Sequence, residues 1–352
     1  MATSQVKVVI VGAAGYSGAE LVTWLLGHPA AAITGLFGSG RTGEGGKPQR
    51  IAELFPRFAR RFDMEIKSAD AGAIAALRPD VVFLATPHEA SVELAPAILG
   101  RSAKDWQPRV LDLSGGFRLR DAGLYPKFYG FEHEHPELLE TAVYGLPELN
   151  RKQIAGAKLV AVPGCYPTSA ILPLRPLVLS GAIAKGTRPI IDSTSGVSGA
   201  GRTPTAKTHY CELSLQPYNV LKHRHNPEID QYAGVPVVFT PHLGPYDRGI
   251  LSTIHIELAE GWTAARVAEA LRGAYAEERF VRLKAPDQWP SVGAVRETNF
   301  CDIAWAVDEA NRHLIVVSAI DNLVKGAAGQ AIQCMNLVCG LPEGLGLQGG
   351  AP

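Results

Sequence analysis

The sequence predicts an α/β protein: a doubly wound parallel sheet joined to a second, α+β domain. Three observations carry that expectation. Short apolar strands alternate with helical stretches through the first part of the chain, a glycine-rich turn follows the first strand, and after about Gly164 the strands lengthen and spread apart. Alternating strand and helix with right-handed crossovers builds a parallel sheet, whereas runs of strands with few helices build an antiparallel or mixed sheet with helices on one face.

Val6 to Val11 is β-branched except for Lys7, as a strand buried on both faces requires. The segment from about Tyr16 to Gly27 sets Leu21, Val22, Leu25 and Leu26 on one helical face. Further strands are expected near Ala32–Phe37, Met64–Lys67, Val81–Ala85 and Val110–Leu113, with helices around Ala69–Leu77 and Glu89–Leu99 between them. In the second part, strands are expected at Pro189–Ser193, Val235–Thr240, Leu251–Leu258, Ile303–Val307 and Leu314–Ile320, and helices at Pro167–Ser180 and Thr263–Tyr275. A single long helix over Leu323–Cys339, followed by a Gly/Pro-rich tail, closes the chain. The expected domains are residues 1–164 with 322–352, and residues 165–321.

Lys plus Arg is 34 and Asp plus Glu is 34. A net charge of zero argues against a general nucleic-acid binder or a polybasic membrane binder, each of which needs excess positive charge. With 46% apolar and 19% charged residues the chain can bury a full core. The charge-free stretch Leu21 to Gly40 is broken by His28, Pro29 and glycines, so no spanning helix is expected there. No secretory apolar region follows Lys7, which makes the cytoplasm the expected compartment. Five cysteines without a CxxC pair argue against both a disulfide framework and a four-thiolate zinc site.

Gly12-Ala13-Ala14-Gly15-Tyr16-Ser17-Gly18 lies between the first strand and the first helix. Glycine allows the tight turn and the close approach of a pyrophosphate, which the helix N-terminus attracts through its amides and dipole. The spacing is GxxGxxG, a looser form of the dinucleotide turn, and a plain packing turn is the alternative. An NAD site usually has an acid at the end of the second strand to hold the ribose hydroxyl, but here Ser39 and Arg41 follow Phe37 and Gly38. A hydroxyl and a guanidinium suit a 2′-phosphate, so NADP is the expected cofactor, the alternative being an arginine solvated on a loop.

Cys165, in Val162-Pro163-Gly164-Cys165-Tyr166-Pro167-Thr168, stands directly before an apolar helical run with Pro167 in its first turn. A thiol at a helix N-terminus gains thiolate character from the dipole and free amides, which lowers its pKa from about 8.5 toward neutrality. The competing reading is a small buried apolar residue. Cys211, Cys301, Cys334 and Cys339 have no comparable flanks. The segment His223-Arg224-His225-Asn226-Pro227-Glu228 gathers two imidazoles, a guanidinium and a carboxylate, and histidine is the usual acid/base near neutral pH. If extended, it puts His223 and His225 on one side, as in a metal pair, but no further ligands at suitable spacing accompany them and no metal is expected. His133 and His135, beside Glu132 and Glu134, read as a solvated loop. Arg118, in Leu113-Ser114-Gly115-Gly116-Phe117-Arg118 beyond the fifth strand, suits either a substrate phosphate or carboxylate or a structural salt bridge.

In order and spacing, GAAGYSGAEL, FLATPHE, LDLSGGFRL, AVPGCYPT, STSGVSGAGR, HRHNPEI, FTPHLGPYDRGIL and DNLVKGAAGQAIQ resemble the N-acetyl-γ-glutamyl-phosphate reductase family, NADPH-dependent enzymes of arginine biosynthesis. The resemblance runs from about Lys7 to Cys339, and GCYPT with HRHNPE separates this family from aspartate-semialdehyde and glyceraldehyde-3-phosphate dehydrogenases. It implies a Rossmann-type first domain and a second domain of glyceraldehyde-3-phosphate-dehydrogenase-like type. It implies that the Cys165 thiolate takes the acyl group of N-acetyl-glutamyl phosphate, releasing phosphate, and that NADPH reduces the thioester to the semialdehyde. The acid/base then maps to His223, with His225 as the alternative. Arg118, Ser195, Tyr218, Arg224 and Glu228 are implied on the substrate side. Thr86, Pro87 and Ser114 join the glycine turn around the cofactor, while Pro167 and Asn322 meet the nicotinamide and the last helix returns to the first domain. Relatives of this kind are commonly dimers or tetramers, so a homo-oligomer is expected. The same chemistry on another acyl phosphate, such as aspartyl phosphate, is the competing activity.

Overall fold

The structure is a computed structural model that describes residues 5–39 and 48–347. It resolves into two compact units, one containing the described residues up to Pro163 and those from Ala327 onward, the other Gly164–Gly326.

The first unit holds seven strands: β1 (Val6–Val11), β2 (Ala31–Gly38), β3 (Ile66–Ser68), β4 (Val81–Leu84), β5 (Arg109–Asp112), β6 (Val143–Tyr144) and β7 (Leu159–Ala161). Their order is β3-β2-β1-β4-β5-β7-β6, and every pairing is parallel. The chain steps outward from β1 to β3 and then crosses back to lay β4 on the other side of β1. That reversal opens a crevice at the carboxyl ends of β1 and β4, where ligands of such sheets bind. Val8, Val9, Ile10 and Val11 have no exposed surface, as the β-branched run requires. β6 and β7, of two and three residues, are too short to announce themselves as a periodic pattern.

The glycine turn is sterically determined. Gly12 has φ +89°, and a Cβ there falls 2.1 Å from the carbonyl oxygen of Ala85. A Cβ on Gly18 falls 2.3 Å from the Gly12 oxygen, so the Tyr16–Leu26 helix rests directly on the turn. Gly15 is different: a Cβ there meets nothing nearer than the Gly12 oxygen at 3.5 Å.

The expected single helix over Leu323–Cys339 begins instead as a π-helical turn, Val324–Ala328, and becomes α-helical over Gly329–Val338. The cause is local. The Asp321 carboxylate gathers the amides of Leu323 and Val324, while its carbonyl accepts the Gly326 N–H at 2.9 Å, a bond spanning five residues. The α-helical part packs on the Pro147–Gly156 and Tyr16–Leu26 helices of the first unit. Its buried Asn336 joins His28 at 3.0 Å and donates to the carbonyls of Glu343 and Leu345 at 2.9 Å each, tying down the following segment.

The second unit holds a mixed sheet of β8 (Ile190–Gly196), β9 (Gln216–Pro217), β10 (Val238–Gly244), β11 (Ile250–Glu257), β12 (Val281–Leu283), β13 (Cys301–Asp308) and β14 (His313–Ile320). Their order is β12-β13-β14-β11-β8-β10-β9, with β8–β10 and β12–β13 parallel and the other pairs antiparallel. Burial alternates along β11, with Ile250, Ser252, Ile254 and Ile256 inward. The Cys165–Leu179 helix packs on β11 and β14, and the His225–Ala233 and Ala264–Tyr275 helices pack against that helix. Among the described residues no helix is long and apolar enough to cross a membrane.

Two alanine substitutions in the turn separate its glycines. Gly12→Ala combines a positive φ with a backbone clash and is expected to lower the melting temperature by about 5 °C or more. Gly15→Ala, which meets only an ordinary van der Waals contact, should leave melting unchanged and instead weaken dinucleotide binding. Thermal denaturation and cofactor titration of both variants check this, and equal melting would remove the steric account.

Candidate active site

The first unit contributes a turn suited to a dinucleotide. Gly15 caps the Tyr16–Leu26 helix without any side-chain hydrogen bond, and no acidic residue occupies its first turn. First-turn amides without a side-chain cap, a positive dipole end and the absence of a Cβ on Gly15 fit a pyrophosphate. Ser39 is exposed just beyond β2, whereas Arg41 lies outside the described residues.

Beside the switch point stands a buried carboxylate that sequence pattern does not single out. Asp112, at the end of β5, accepts from Ser91 Oγ and Ser114 Oγ at 2.8 Å each and from the Ser114 amide at 3.0 Å. Thr86 Oγ1 joins the same chain through Ser91 at 2.8 Å, and Ser114 Oγ accepts the Gly116 N–H at 3.0 Å. Burial pushes the Asp112 carboxyl above its ordinary range, against the hydroxyl and amide donors and the nearby Arg118 charge. Thr86 and Ser114 therefore shape the loops after β4 and β5, and Pro87 caps the helix His88–Leu99 that follows.

Arg118 belongs to the same loop. Its guanidinium is buried and donates to the main-chain carbonyls of Val162 and Leu113 at 2.8 Å each. These contacts bind the loop after β5 to the chain beyond β7, a structural use of the side chain made with main-chain carbonyls. His133 also departs from expectation. It is 8% exposed, its Nε2 lies 2.7 Å from the Gly116 oxygen, and its ring packs among Phe117, Tyr125 and Phe131. The surrounding aromatic residues bury what charge pattern alone marks as a solvated loop.

In the second unit a cavity of about 330 Å³ opens around Cys165. That size suits a small acyl substrate rather than a polymer. Cys165 is the first residue of the Cys165–Leu179 helix and is partly exposed. Gly164 before it is held from two sides: its N–H donates to Glu228 Oε1 at 2.9 Å, and its carbonyl accepts the Thr168 N–H and Thr168 Oγ1 at 3.0 Å each. Glu228 thus serves the main chain beside the thiol and is not among the residues lining the cavity, where the resemblance had placed it. Gly326 approaches from the π-helical turn so closely that a Cβ on it falls 2.8 Å from Cys165 Cβ.

Ser195, Tyr218, His223, Arg224 and His225 line the cavity with Cys165. The expected extended arrangement of the two histidines does not occur. Arg224 is in the α region and His225 begins the His225–Ala233 helix, with Pro227 in its first turn. The rings nevertheless meet, 4.7 Å apart between centroids, because His223 Nδ1 accepts the main-chain N–H of His225 at 3.1 Å. That bond leaves the ring proton of neutral His223 on Nε2. Burial, reinforced by the Arg224 charge, holds the His223 pKa down to about 3. Tyr166 and Tyr218 close the wall: Tyr218 donates to the Tyr166 hydroxyl at 3.2 Å, and Tyr166 donates to the His242 carbonyl at 3.0 Å. Burial raises both phenols, Tyr218 to about 12, so both stay protonated donors.

Residues 7–157 match the family model described as the semialdehyde dehydrogenase NAD binding domain, and residues 165–322 match that of the semialdehyde dehydrogenase dimerisation domain. An N-acetyl-gamma-glutamyl-phosphate reductase of Vibrio parahaemolyticus is 47% identical over 96% of this chain and 98% of its own length. The chain belongs to the N-acetyl-gamma-glutamyl-phosphate reductase family. A reductase of the same name from Yersinia pseudotuberculosis is 48% identical over 95% of this chain and 97% of that protein. A probable aspartate-semialdehyde dehydrogenase from Pseudomonas aeruginosa shares the fold, with a TM-score of 0.69 at 17% identity over 96% of this chain and 99% of that one. The reductase family uses a nicotinamide cofactor, in keeping with the domain matched over residues 7–157.

Several implied residues have structural roles within this reductase-family chain. Pro167 is buried in the first turn of the Cys165–Leu179 helix, where its missing N–H breaks no helical bond. Asn322 is 3% exposed and engaged at both ends, its oxygen accepting the Gly249 N–H at 2.6 Å and its nitrogen donating to Ser198 Oγ at 3.0 Å. Of the other cysteines, Cys301 and Cys334 are buried, Cys211 is exposed, and burial pushes the Cys339 thiol up to about 11. Among the described residues no group of three or more His, Cys, Asp and Glu side chains is arranged to hold a metal ion.

The state of His223 is open to test. The unfolded chain carries an ordinary imidazole near 6.5, so between about pH 6.5 and 3 it binds more protons than the folded protein. Stability contributed by the neutral buried ring is complete above that window and is lost as pH falls through it. In urea unfolding measured against pH, His223→Asn should flatten the acid limb and leave the profile above about pH 7 unchanged in shape. An unaltered acid slope would mean that the ring is not held neutral.

Proposed function

We propose that this chain reduces N-acetyl-L-glutamyl 5-phosphate to N-acetyl-L-glutamate 5-semialdehyde with NADPH, in arginine biosynthesis. The observation that carries this reading is Cys165 at the first position of a helix, opening onto the same cavity as His223 and His225. The Cys165 sulfur attacks the acyl carbon, a C–S bond forms, the bond to the phosphate oxygen breaks, and phosphate leaves. NADPH, when bound, supplies the hydride that reduces the resulting thioester. As the C–S bond of the thiohemiacetal breaks, the carbonyl forms and the sulfur is regenerated as the thiolate.

With His225 kept as the alternative acid/base, His223 serves in this reading as a neutral hydrogen-bond donor. Its neutral ring, oriented by the His225 amide, presents Nε2–H as a donor to oxygen that gains negative charge. Ser195 and Tyr218 line the cavity with hydroxyls whose protons go to the Gly196 carbonyl and the Tyr166 hydroxyl, and Arg224 adds a positive charge to a cavity that must accept an anionic acyl phosphate. Glu228 and Arg118 act on the main chain, holding Gly164 and the loop after β5. Thr86, Pro87, Ser114, Pro167 and Asn322 shape the surroundings of the cofactor. NADP is favoured over NAD because no acid follows Phe37 and Gly38, where Ser39 and then Arg41 stand. The functional division is a dinucleotide-binding first unit and a catalytic second unit. The description of the model matched over residues 165–322 supports a homo-oligomer, and the biosynthetic role supports a cytoplasmic location.

Incubation with the acyl phosphate in the absence of NADPH should leave an acyl adduct on Cys165 alone, read by mass spectrometry of peptides. Cys165→Ser should abolish turnover while retaining NADP binding, and retained activity would overturn the assignment. Aspartyl phosphate, assayed beside it, distinguishes the competing activity of the same mechanism. Arg41→Glu should weaken NADP more than NAD, read as the ratio of the two dissociation constants; equal weakening would remove Arg41 from the 2′-phosphate site.

A further inference from the structure

Pro173 and Pro176 lie inside the Cys165–Leu179 helix. Proline has no N–H, so each deprives the carbonyl four residues earlier of its helical donor: Ser169 for Pro173, Leu172 for Pro176. Both residues are fully buried, where an unpaired carbonyl is costly. Each carbonyl has a replacement donor from outside the helix. Ser318 Oγ, on β14, donates to the Ser169 oxygen at 2.6 Å. The Tyr275 hydroxyl, at the end of the Ala264–Tyr275 helix, donates to the Leu172 oxygen.

A second chain of hydroxyls reaches the helix one turn from the thiol. Ser193 on β8, Ser252 on β11 and Ser318 on β14 are direct cross-strand partners, forming a row on the buried face of the sheet. Ser252 Oγ lies 2.6 Å from Ser193 Oγ and 2.8 Å from Ser169 Oγ, and Ser169 Oγ donates to the Tyr166 carbonyl at 2.9 Å. A hydroxyl has one proton, so the direction is forced. Ser169 gives its proton to Tyr166, hence Ser252 donates to Ser169 and Ser193 to Ser252. The series ends on the main chain of the residue next to Cys165.

We propose that Ser318 and Tyr275 are positioning residues for Cys165, reading the two carbonyls vacated by Pro173 and Pro176 and so setting the height and rotation of the helix over the sheet. Apolar packing alone is non-directional and tolerates small slides of a helix. A hydrogen bond to one particular carbonyl does not. The serine row fixes the same helix nearer its start, through Ser169 and Tyr166. This inference rests on the reading of Cys165 as the nucleophile, since it concerns where that sulfur is held.

The test is a pair of double-substitution cycles on the full-length protein, reading kcat, KM, the rate of Cys165 alkylation by iodoacetamide and the melting temperature. Ser318→Ala should lower kcat and alkylation about tenfold, because small misplacement of a reacting atom is costly, with KM within about twofold. In a Pro173→Ala background the restored amide supplies the Ser169 carbonyl, and Ser318→Ala should then change kcat by less than about twofold. Ser318→Thr, which keeps the hydroxyl, should retain wild-type kcat. Tyr275→Phe with Pro176→Ala should behave in the same coupled way. Equal losses in both backgrounds, or a lowered melting temperature with kcat and alkylation unchanged, would overturn the positioning role. Failure of the nucleophile reading shows separately, as no acyl adduct on Cys165 of the unsubstituted protein.

Discussion

The main chain at Gly164 and Cys165 has to be stationary, and the rest of the second unit is arranged around that requirement. A helix N-terminus is where amides lack intrahelical partners and where a backbone most readily frays. Here the carboxylate of Glu228 and the hydroxyl of Thr168 take hold of Gly164 from opposite directions, and the bare Gly326 lets the π-helical turn press on the cysteine. The remainder of the helix is then secured along its length by side chains from the sheet and from a neighbouring helix. The reactive end is thus fixed by polar contacts, and the apolar face behind it supplies bulk stabilisation.

The cavity around the sulfur is lined mainly by neutral polar groups. Two phenols and a neutral imidazole stand where a buried positive group would be unfavourable, and Arg224 keeps its charge on the exposed rim. Neutral donors fixed by protein contacts stabilise developing negative charge without reorganising during the reaction. The same preference appears in the first unit, where Asp112 is satisfied by hydroxyls and amides and serves to brace loops.

What is legible in the sequence is local. β1, the glycine turn and the first helix are a contiguous signature, and Cys165 with Pro167 marks a helix start within a few residues. What is not legible depends on distance. Asp112, Gly326 and Ser318 acquire meaning from partners far away in the chain, and serines at alternate positions of strands such as β8 read as a solvent face when they in fact lie inward. His133 escapes sequence reasoning because its burying aromatic residues, Tyr125 and Phe131, sit in the short helix Leu124–Phe128 and the loop after it, too brief to show a period. The HRHNPE segment departs from its extended reading because Arg224 turns helical just before Pro227. For Glu228 the segment is legible and the backbone contact is not: the resemblance implies the substrate side, and the carboxylate also accepts the N–H of Gly164, far away in the chain.

The discontinuity of the first unit bears on how the protein is made. Its sheet is complete by Ala161, yet the helix that covers Pro147–Gly156 is encoded beyond the whole second unit, at Gly329–Val338. On the ribosome, the sheet of the first unit emerges before that helix and leaves an apolar face uncovered until the second unit has been translated. The second unit, being contiguous, can close on itself in the meantime. Synthesis therefore completes the second unit before the first, although the first was begun earlier, and a pause between the second unit and Gly329–Val338 leaves the older unit as the one with an uncovered face.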